Sequence, residues 1–299
     1  MTAAAGARAA ARASFPDWRF APNIGGHPDV YEIENRGIDP DGHVLAAMRR
    51  IAPWDGRTVL DLGCGTGFWL PGYAKDASRV IGVEPDPVLR ARAAARVAGL
   101  PGADVMPGSA EQLPLADRSV DVVHARFAYF LDPGVERGPA RGEGGSGGWS
   151  GTRGPGGGRD GGGSGGQAGA GGRAGAVGQA GRDPDAGLAE VMRVLTPGGS
   201  LVVVDNDYRW GEFAGLLAAG SRRPPGDTAA AVDGWWRQRG ARRYEVRARW
   251  RFASRADLAA VLTIEVPAGV ARGWLARNPA ATGLTYGYVL FAVTRSGRV

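Results

Sequence analysis

The 299-residue chain has one cysteine, Cys64, and one lysine, Lys75, although 36 of its side chains are basic. A lone cysteine excludes an internal disulfide. Three histidines (His27, His43 and His124), with no Cys/His/Asp cluster at ligand spacing, imply no metal site. No apolar run is long enough to span a bilayer, and the N-terminus lacks the apolar core of a secretory signal. A soluble, cytoplasmic protein without a membrane partner is therefore expected. With so little lysine, the net charge of +6 is carried by arginine. Excess arginine can mark an anionic partner, but the matching abundance of Ala, Gly and Pro favours a compositional bias, so no nucleic-acid partner is expected. Residues 1–20, opened by the Ala- and Arg-rich Met1–Ser14, read as a disordered leader. The rest, residues 21–299, has enough apolar content for one α/β core.

The most informative segment is Thr58-Val-Leu-Asp-Leu-Gly-Cys-Gly-Thr-Gly-Phe-Trp69. It reads as a buried strand entering a glycine turn that opens a helix. Gly63, Gly65 and Gly67 let backbone approach a ligand, because no Cβ intrudes and positive φ is allowed. A second strand, Arg79-Val-Ile-Gly-Val-Glu-Pro-Asp86, places Glu84 21 residues after Gly63. A carboxylate there can accept hydrogen bonds from ribose hydroxyls. The dinucleotide fingerprint G-x-G-x-x-G/A needs a third small residue, and that position is Phe68. This argues against a nicotinamide-dependent oxidoreductase.

The pattern D-x-G-x-G-x-G from Asp61 to Gly67 resembles motif I of the class I S-adenosylmethionine-dependent methyltransferases, and Glu84 matches their ribose-binding acid. Ser109-Ala-Glu-Gln-Leu-Pro-Leu-Ala-Asp-Arg-Ser-Val-Asp-Val-Val-His124 resembles the adenine-side loop and fourth strand of the small-molecule, type 11 group. Leu188–Asp205 resembles the following helix, turn and fifth strand. The resemblance implies a Rossmann-like, doubly wound, seven-stranded sheet, mostly parallel with the last strand antiparallel. It implies S-adenosylmethionine as cofactor and a small-molecule acceptor. It also implies a site at Asp61, Gly63, Cys64, Gly65, Gly67, Glu84, Ala110 and Glu111. Backbone of the glycines would line the amino-acid end of the cofactor. Asp61 would stiffen the turn or meet the ammonium through water, Glu84 would bind ribose, and Ala110 and Glu111 would border adenine. Cys64 itself reads as packing. The alternative is a catalytically inactive cofactor-binding regulator or partner protein.

Local signals place the remaining elements. Asp39-Pro40 and Asp86-Pro87 each open a helix, the first running to Ile51 and the second to Val97. Short strands are expected at 103–106, 120–125 and 201–204, with Thr196-Pro-Gly-Gly199 turning the chain into the last of these. Between Gly134 and Gly187, 24 of 54 residues are glycine. The segment 134–186 therefore reads as a disordered insert interrupting the domain. Tyr244 to Phe252 alternates apolar and charged residues, with Trp235-Trp236 nearby. A half-buried strand with a solvated arginine face is favoured over a nucleic-acid surface. Ser254 and Asp257 form a capping signal for the next helix, and Thr285–Thr294 reads as the final strand.

Catalytic candidates are fewer, because methyl transfer from a sulfonium needs chiefly positioning and exclusion of water. His124 and Asp205 sit at expected C-terminal strand ends and are the candidates for orienting or deprotonating an acceptor, with Asn206 and Asp207 on the same rim. Tyr129 and Phe130 read equally as a substrate wall or as core. In His27–Asp39, the residues Tyr31, Glu34 and Asn35 read equally as part of a lid over the cofactor or as ordinary helix surface.

Overall fold

The computed structural model describes residues 3–16, 18, 20–130, 183–221 and 225–297. Its elements are α1 (Ala3–Ser14), α2 (Pro22–Gly26), α3 (Pro28–Gly37), α4 (His43–Ile51), β1 (Thr58–Leu62), α5 (Leu70–Tyr73), β2 (Arg79–Val83), α6 (Pro87–Val97) and β3 (Ala103–Met106). Then come β4 (Val120–Arg126), α7 (Pro184–Val194), β5 (Leu195–Asn206), α8 (Glu212–Gly220), α9 (Pro225–Gln238), β6 (Arg242–Arg251), α10 (Arg255–Glu265), α11 (Ala268–Arg277) and β7 (Gly283–Thr294). The strands form one sheet in the order β3-β2-β1-β4-β5-β7-β6. All pairings among β1 to β5 are parallel, and β7 runs antiparallel to both β5 and β6. The expected fold class is thus the observed one, with the last strand inserted between the fifth and sixth.

Central parallel strands are buried on both faces, which is why β1 reads Thr-Val-Leu-Asp-Leu without polar alternation. Val59, Val122, Val202 and Val204 pack on one face beneath α4, α6, α8 and α10. Leu60, Val123, Leu201 and Val203 pack on the other, beneath α7 and α9. Each such side chain contributes about 1.5 to 3 kcal/mol by leaving water. β6 lies at the sheet edge with Arg247, Arg249 and Arg251 exposed and Ala248 and Trp250 buried, so the solvated-face reading of this strand holds.

Capping chemistry sets several helix starts. Asp86 accepts the Val88 N–H at 2.8 Å, and Ser254 accepts the Asp257 N–H at 3.1 Å. Asp39 acts from farther out than expected. The helix begins at His43 after Gly42, and the Asp39 carboxylate takes the N–H groups of Val44 and Leu45 at 3.0 to 3.1 Å. β5 is longer than expected because a bulge between Val120 and Val122 lets Leu195 pair before the Thr196–Gly199 segment.

Two boundaries are corrected. The leader does not lie free, since residues 3–14 form α1, packed on α6. Alanine favours helix, and Arg8 anchors this one by its ion pair to buried Asp86 at 2.9 Å and its hydrogen bond to the Gly25 carbonyl at 2.9 Å. The insert 134–186 lies outside the described residues as far as 182. Its last residues belong to the fold, where Asp183 caps α7 by accepting the Asp185 N–H at 2.9 Å, and Pro184 to Ala186 make the first turn.

Candidate cofactor and active site

At the C-terminal edge of β1 the chain enters the turn Gly63–Gly67, and all three glycines take positive φ. The turn hangs from the end of β2, because the Gly63 and Cys64 N–H groups both donate to the Val83 carbonyl, at 2.8 and 3.1 Å. All three glycines are also tight for space, and a Cβ on Gly63 would lie 2.7 Å from Ala128 Cβ. A Cβ on Gly65 would lie 2.8 Å from Ile24 Cδ1 in α2, and one on Gly67 would lie 2.9 Å from the Ala93 backbone in α6.

Glu84 ties this turn to the next. Its Oε2 accepts the Gly65 N–H at 2.9 Å and its Oε1 accepts the Asp86 N–H at 2.8 Å. Burial pushes its carboxyl up to about 7, against the pull of those two amides. A carboxylate oxygen has two acceptor directions, so each oxygen keeps one after serving an amide. The Glu84 N–H donates to the Met106 carbonyl at 3.1 Å, so the loop carrying Ala110 and Glu111 leaves beside Glu84. Ala110 is buried there, and Glu111 Oε1 is buried without a hydrogen-bond partner among the described residues.

A cleft of about 340 Å³, counting its open part, adjoins the turn. Asp61, Gly63 and Cys64 form its floor, Phe68 and Trp69 one side, and Arg126 and Phe127 another, with Tyr31, Asn35 and Ile38 above. Burial pushes Asp61 up to about 6, and the Arg126 charge opposes this. The Arg126 guanidinium lies 3.6 Å from the Trp69 ring centroid. Phe127 holds a φ of +48°, a conformation costing a non-glycine residue about 1 kcal/mol and concentrated at functional sites. From above, Asn35 Oδ1 accepts the Trp69 indole N–H at 3.1 Å, and Glu32 accepts the Thr66 hydroxyl. These contacts hold α3 over the turn, which gives Tyr31 and Asn35 the covering position of the lid reading. Glu34 is buried beside them, outside the lining.

Other candidates are not brought to the cleft. His124 is corrected outright. It lies inside β4 opposite Asp61, fully buried between Trp54 and Tyr73 at ring separations of 5.3 and 4.9 Å. Neither ring nitrogen has a hydrogen-bond partner among the described residues, and burial, with Arg126 adding, pushes the imidazole down to about 3. A sealed, neutral ring cannot take a proton from an acceptor. Asp205 is corrected too. It is fully buried, its Oδ1 accepts the Asn206 N–H at 2.7 Å, and by alternation it shares the face of Leu201 and Val203, away from Asp61. Tyr129 and Phe130 are core, with Phe130 5.5 Å from Trp236 and the Tyr129 ring filling the space above Gly187. The Cys64 thiol is pushed up by burial, then by Glu84 and Asp61, and its Sγ packs on Gly82, which suits a packing residue.

Sequence reasoning missed Arg126, Phe127 and Trp69. The signal was the block His124-Ala-Arg126, since alternate strand residues share a face. Of the two, only the one at the strand end reaches the rim.

Residues 59–138 match the family described as a methyltransferase domain. Over those residues the chain resembles a methyltransferase domain. An uncharacterized methyltransferase of Mycobacteroides abscessus is 44% identical over 69 residues, 22% of this chain and 27% of that protein. A probable S-adenosylmethionine-dependent methyltransferase of Mycolicibacterium smegmatis is 44% identical over 81 residues, 27% of this chain and 30% of that one. The chain thus spans less than a third of the length of these curated relatives. The YcgJ protein of Bacillus subtilis superposes with a TM-score of 0.49 at 15% identity, over 85% of this chain and 98% of that one. Among the described residues, no helix is long and apolar enough to cross a membrane.

Proposed function

We propose that the chain binds S-adenosylmethionine at the Gly63–Gly67 turn and transfers its methyl group to a small-molecule acceptor. The observation that carries this reading is the bridge from Gly65 N–H to the Glu84 carboxylate, beside a cleft floored by Asp61 and Gly63. The residues fit the cofactor on two counts. The three glycines at positive φ fold the turn tightly enough for its backbone to meet a ligand, and buried Arg126 and Asp61 offer opposite charges to a zwitterionic end. The name of the Mycolicibacterium relative supports the same reading.

Once bound, S-adenosylmethionine supplies a methyl group already activated by its sulfonium. The chain's own contribution is then position and dryness. Glu84 accepts from ribose hydroxyls with its remaining lone pairs, the glycine turn lines the amino-acid end, and Ala110 and Glu111 border the base. Asp61 attracts the ammonium. Tyr31 and Asn35 on α3 close the cleft from above and keep water from the methyl carbon. The acceptor enters between α3 and the C-terminal edge of β4.

Calorimetric titration with S-adenosylmethionine and its demethylated product tests binding, and transfer of labelled methyl to a metabolite extract tests turnover. Both are expected. Absence of binding would refute the proposal, and binding with no transfer would return the chain to the class of non-catalytic binding proteins.

A further inference from the structure

The loop from β3 to β4 carries Ala110 and Glu111 at the corners of a tight turn, closed where the Gln112 N–H donates to the Ser109 carbonyl at 3.2 Å. Its stem is packed without slack. A Cβ on Gly108 would lie 2.7 Å from Pro114 Cδ and 2.9 Å from Cγ1 of Val83, which precedes Glu84. Leu113, next after the turn, is buried, and side chains of α7 hold both of its backbone polar groups. Its N–H donates to Glu190 Oε2 at 3.1 Å, and its carbonyl accepts from Arg193 Nη2 at 3.2 Å. Those two side chains also bind each other as a fork, Nε to Oε1 and Nη2 to Oε2, both at 2.8 Å.

Arg193 reaches farther along the loop. Its Nη1 donates to the Leu115 carbonyl at 2.8 Å and to Asp117 at 2.7 Å. Its own carbonyl accepts the Arg118 N–H at 3.0 Å and Arg295 Nη1, just beyond β7, at 2.9 Å. The loop is thus wrapped around one arginine that is itself tied down. Exposed pairs of side chain with side chain, such as Arg251 with Asp41, contribute little to stability. Arg193 differs because its guanidinium serves two loop carbonyls at once, and a planar group with donors in a rigid fork fixes that geometry where a lysine would not. What this brace holds still is a turn whose Glu111 Oε1 is buried and has no hydrogen-bond partner among the described residues. A buried acceptor left unpaired is costly unless a ligand donor completes it.

We infer that Glu190 and Arg193 are positioning residues for the base end of the cofactor: they fix the Ser109–Gln112 turn so that Glu111 Oε1 accepts the exocyclic amine of adenine and rejects a base without one. This rests on the methyl-transfer reading above, which sets Ala110 and Glu111 beside the base. Hypoxanthine presents a carbonyl oxygen where adenine presents an amine. Opposite a carboxylate held in place, that oxygen meets another acceptor and the hydrogen bond is lost. A turn freed from its brace can swing Glu111 away and so escapes most of that penalty. Selectivity for adenine therefore depends on two side chains that touch no ligand and act by holding the one that does.

The test is calorimetric titration of the full chain with S-adenosylhomocysteine and S-inosylhomocysteine, which differ at the amino edge of the base. The parent is expected to prefer the adenine ligand by about 10-fold or more, as for one hydrogen bond to a charged group. Arg193→Gln should weaken the adenine ligand by about 10-fold and the hypoxanthine ligand much less, so that the ratio falls toward one. Arg193→Lys should recover only part of the ratio, because it keeps the charge and loses the fork. Glu190→Gln should lower the ratio in the same direction, and it provides the reading if Arg193→Gln does not fold. Joined in one chain, the two changes should do little more than either alone, since they break one unit. Equal weakening of both ligands would mark a brace that serves stability alone and would overturn the inference. So would a parent that binds the two ligands alike, or folded variants at both positions that keep the parental ratio. Absence of S-adenosylhomocysteine binding by the parent would instead overturn the methyl-transfer reading on which it rests.

Discussion

Cofactor affinity should depend on pH through Glu84. Burial lifts this carboxyl from an ordinary value of 4.5 to about 7, so at about pH 6 only about a tenth of the molecules carry the ionised form, and at about pH 8 about nine tenths do. Ribose hydroxyls donate to the carboxylate, so binding selects the ionised form. Between those two pH values affinity should rise about tenfold from Glu84 alone. Asp61, lifted to about 6 by burial, adds about twofold over the same window if the ammonium selects its ionised form. The combined rise for the parent is about 20-fold. Glu84→Gln keeps an oxygen for one backbone amide but cannot titrate, so it should bind more weakly overall and retain only the twofold slope. Calorimetry in buffers of different ionisation enthalpy reads the same event as proton release on binding near pH 6. A parental Kd that is flat from about pH 6 to 8, or a Gln variant with the full slope, would refute the reasoning.

The sign for stability is opposite. A carboxyl raised on folding binds more protons in the native than in the unfolded state between its two pKa values. Stability without cofactor therefore falls as pH rises from about 4.5 to about 7, by up to about 3 kcal/mol for Glu84. Melting curves across that window should show the fall in the parent and less of it in Glu84→Gln.

Three further outcomes are expected. Gly67→Ala forces a side chain into positive φ with its Cβ 2.9 Å from Ala93 backbone, and should cost about 1 to 3 kcal/mol of stability, read by urea unfolding. His124→Phe, at a sealed site where neither ring nitrogen has a partner, should leave methyl transfer near the parental rate, and a loss above about 100-fold would restore His124 as a base. Replacing residues 134–182 with a short Gly-Ser linker should leave cofactor affinity and melting temperature close to the parent's, because the Tyr129 hydroxyl donates to the Asp183 carbonyl and so brings the flanks together. Closure entropy changes by only about 1 to 2 kcal/mol for such a shortening, and loss of folding would show the segment to be structural.

What was legible in the sequence was whatever local chemistry decides. The Asp-Pro start at Asp86 and the capping pair Ser254 and Asp257 lie where they were expected, because a cap is a bond between near neighbours. The glycine turn and Glu84 were legible for a related reason. A positive φ and a carboxylate at a strand end are written in single residues, and the turn brings them together at 2.9 Å. Depth and direction were not legible. His124 and Arg126 are two residues apart on one strand and share a face, yet one is sealed between Trp54 and Tyr73 and the other lines the cleft. The difference is set by Trp54, between α4 and β1, and Tyr73 of α5, which pack over His124, and by the end of the strand, which frees Arg126.

The N-terminal segment was misread by the same logic. Composition alone suggested disorder, but Arg8 finds its anchor in Asp86, 78 residues away, and α1 gains its stability from that contact. Glu34 is the sharpest case. On a helical wheel it is one more polar residue of α3, and nothing nearby in sequence marks it as buried. Only tertiary packing, with α10 lying against α3, takes it out of water. A helix that covered the cleft for stability alone would carry an apolar residue at that position, since burying an unpaired acid costs more than burying a leucine gains. With no basic partner among the described residues, the acid rests there as the neutral carboxylic acid, and burial followed by the charge of Glu265 raises its pKa accordingly.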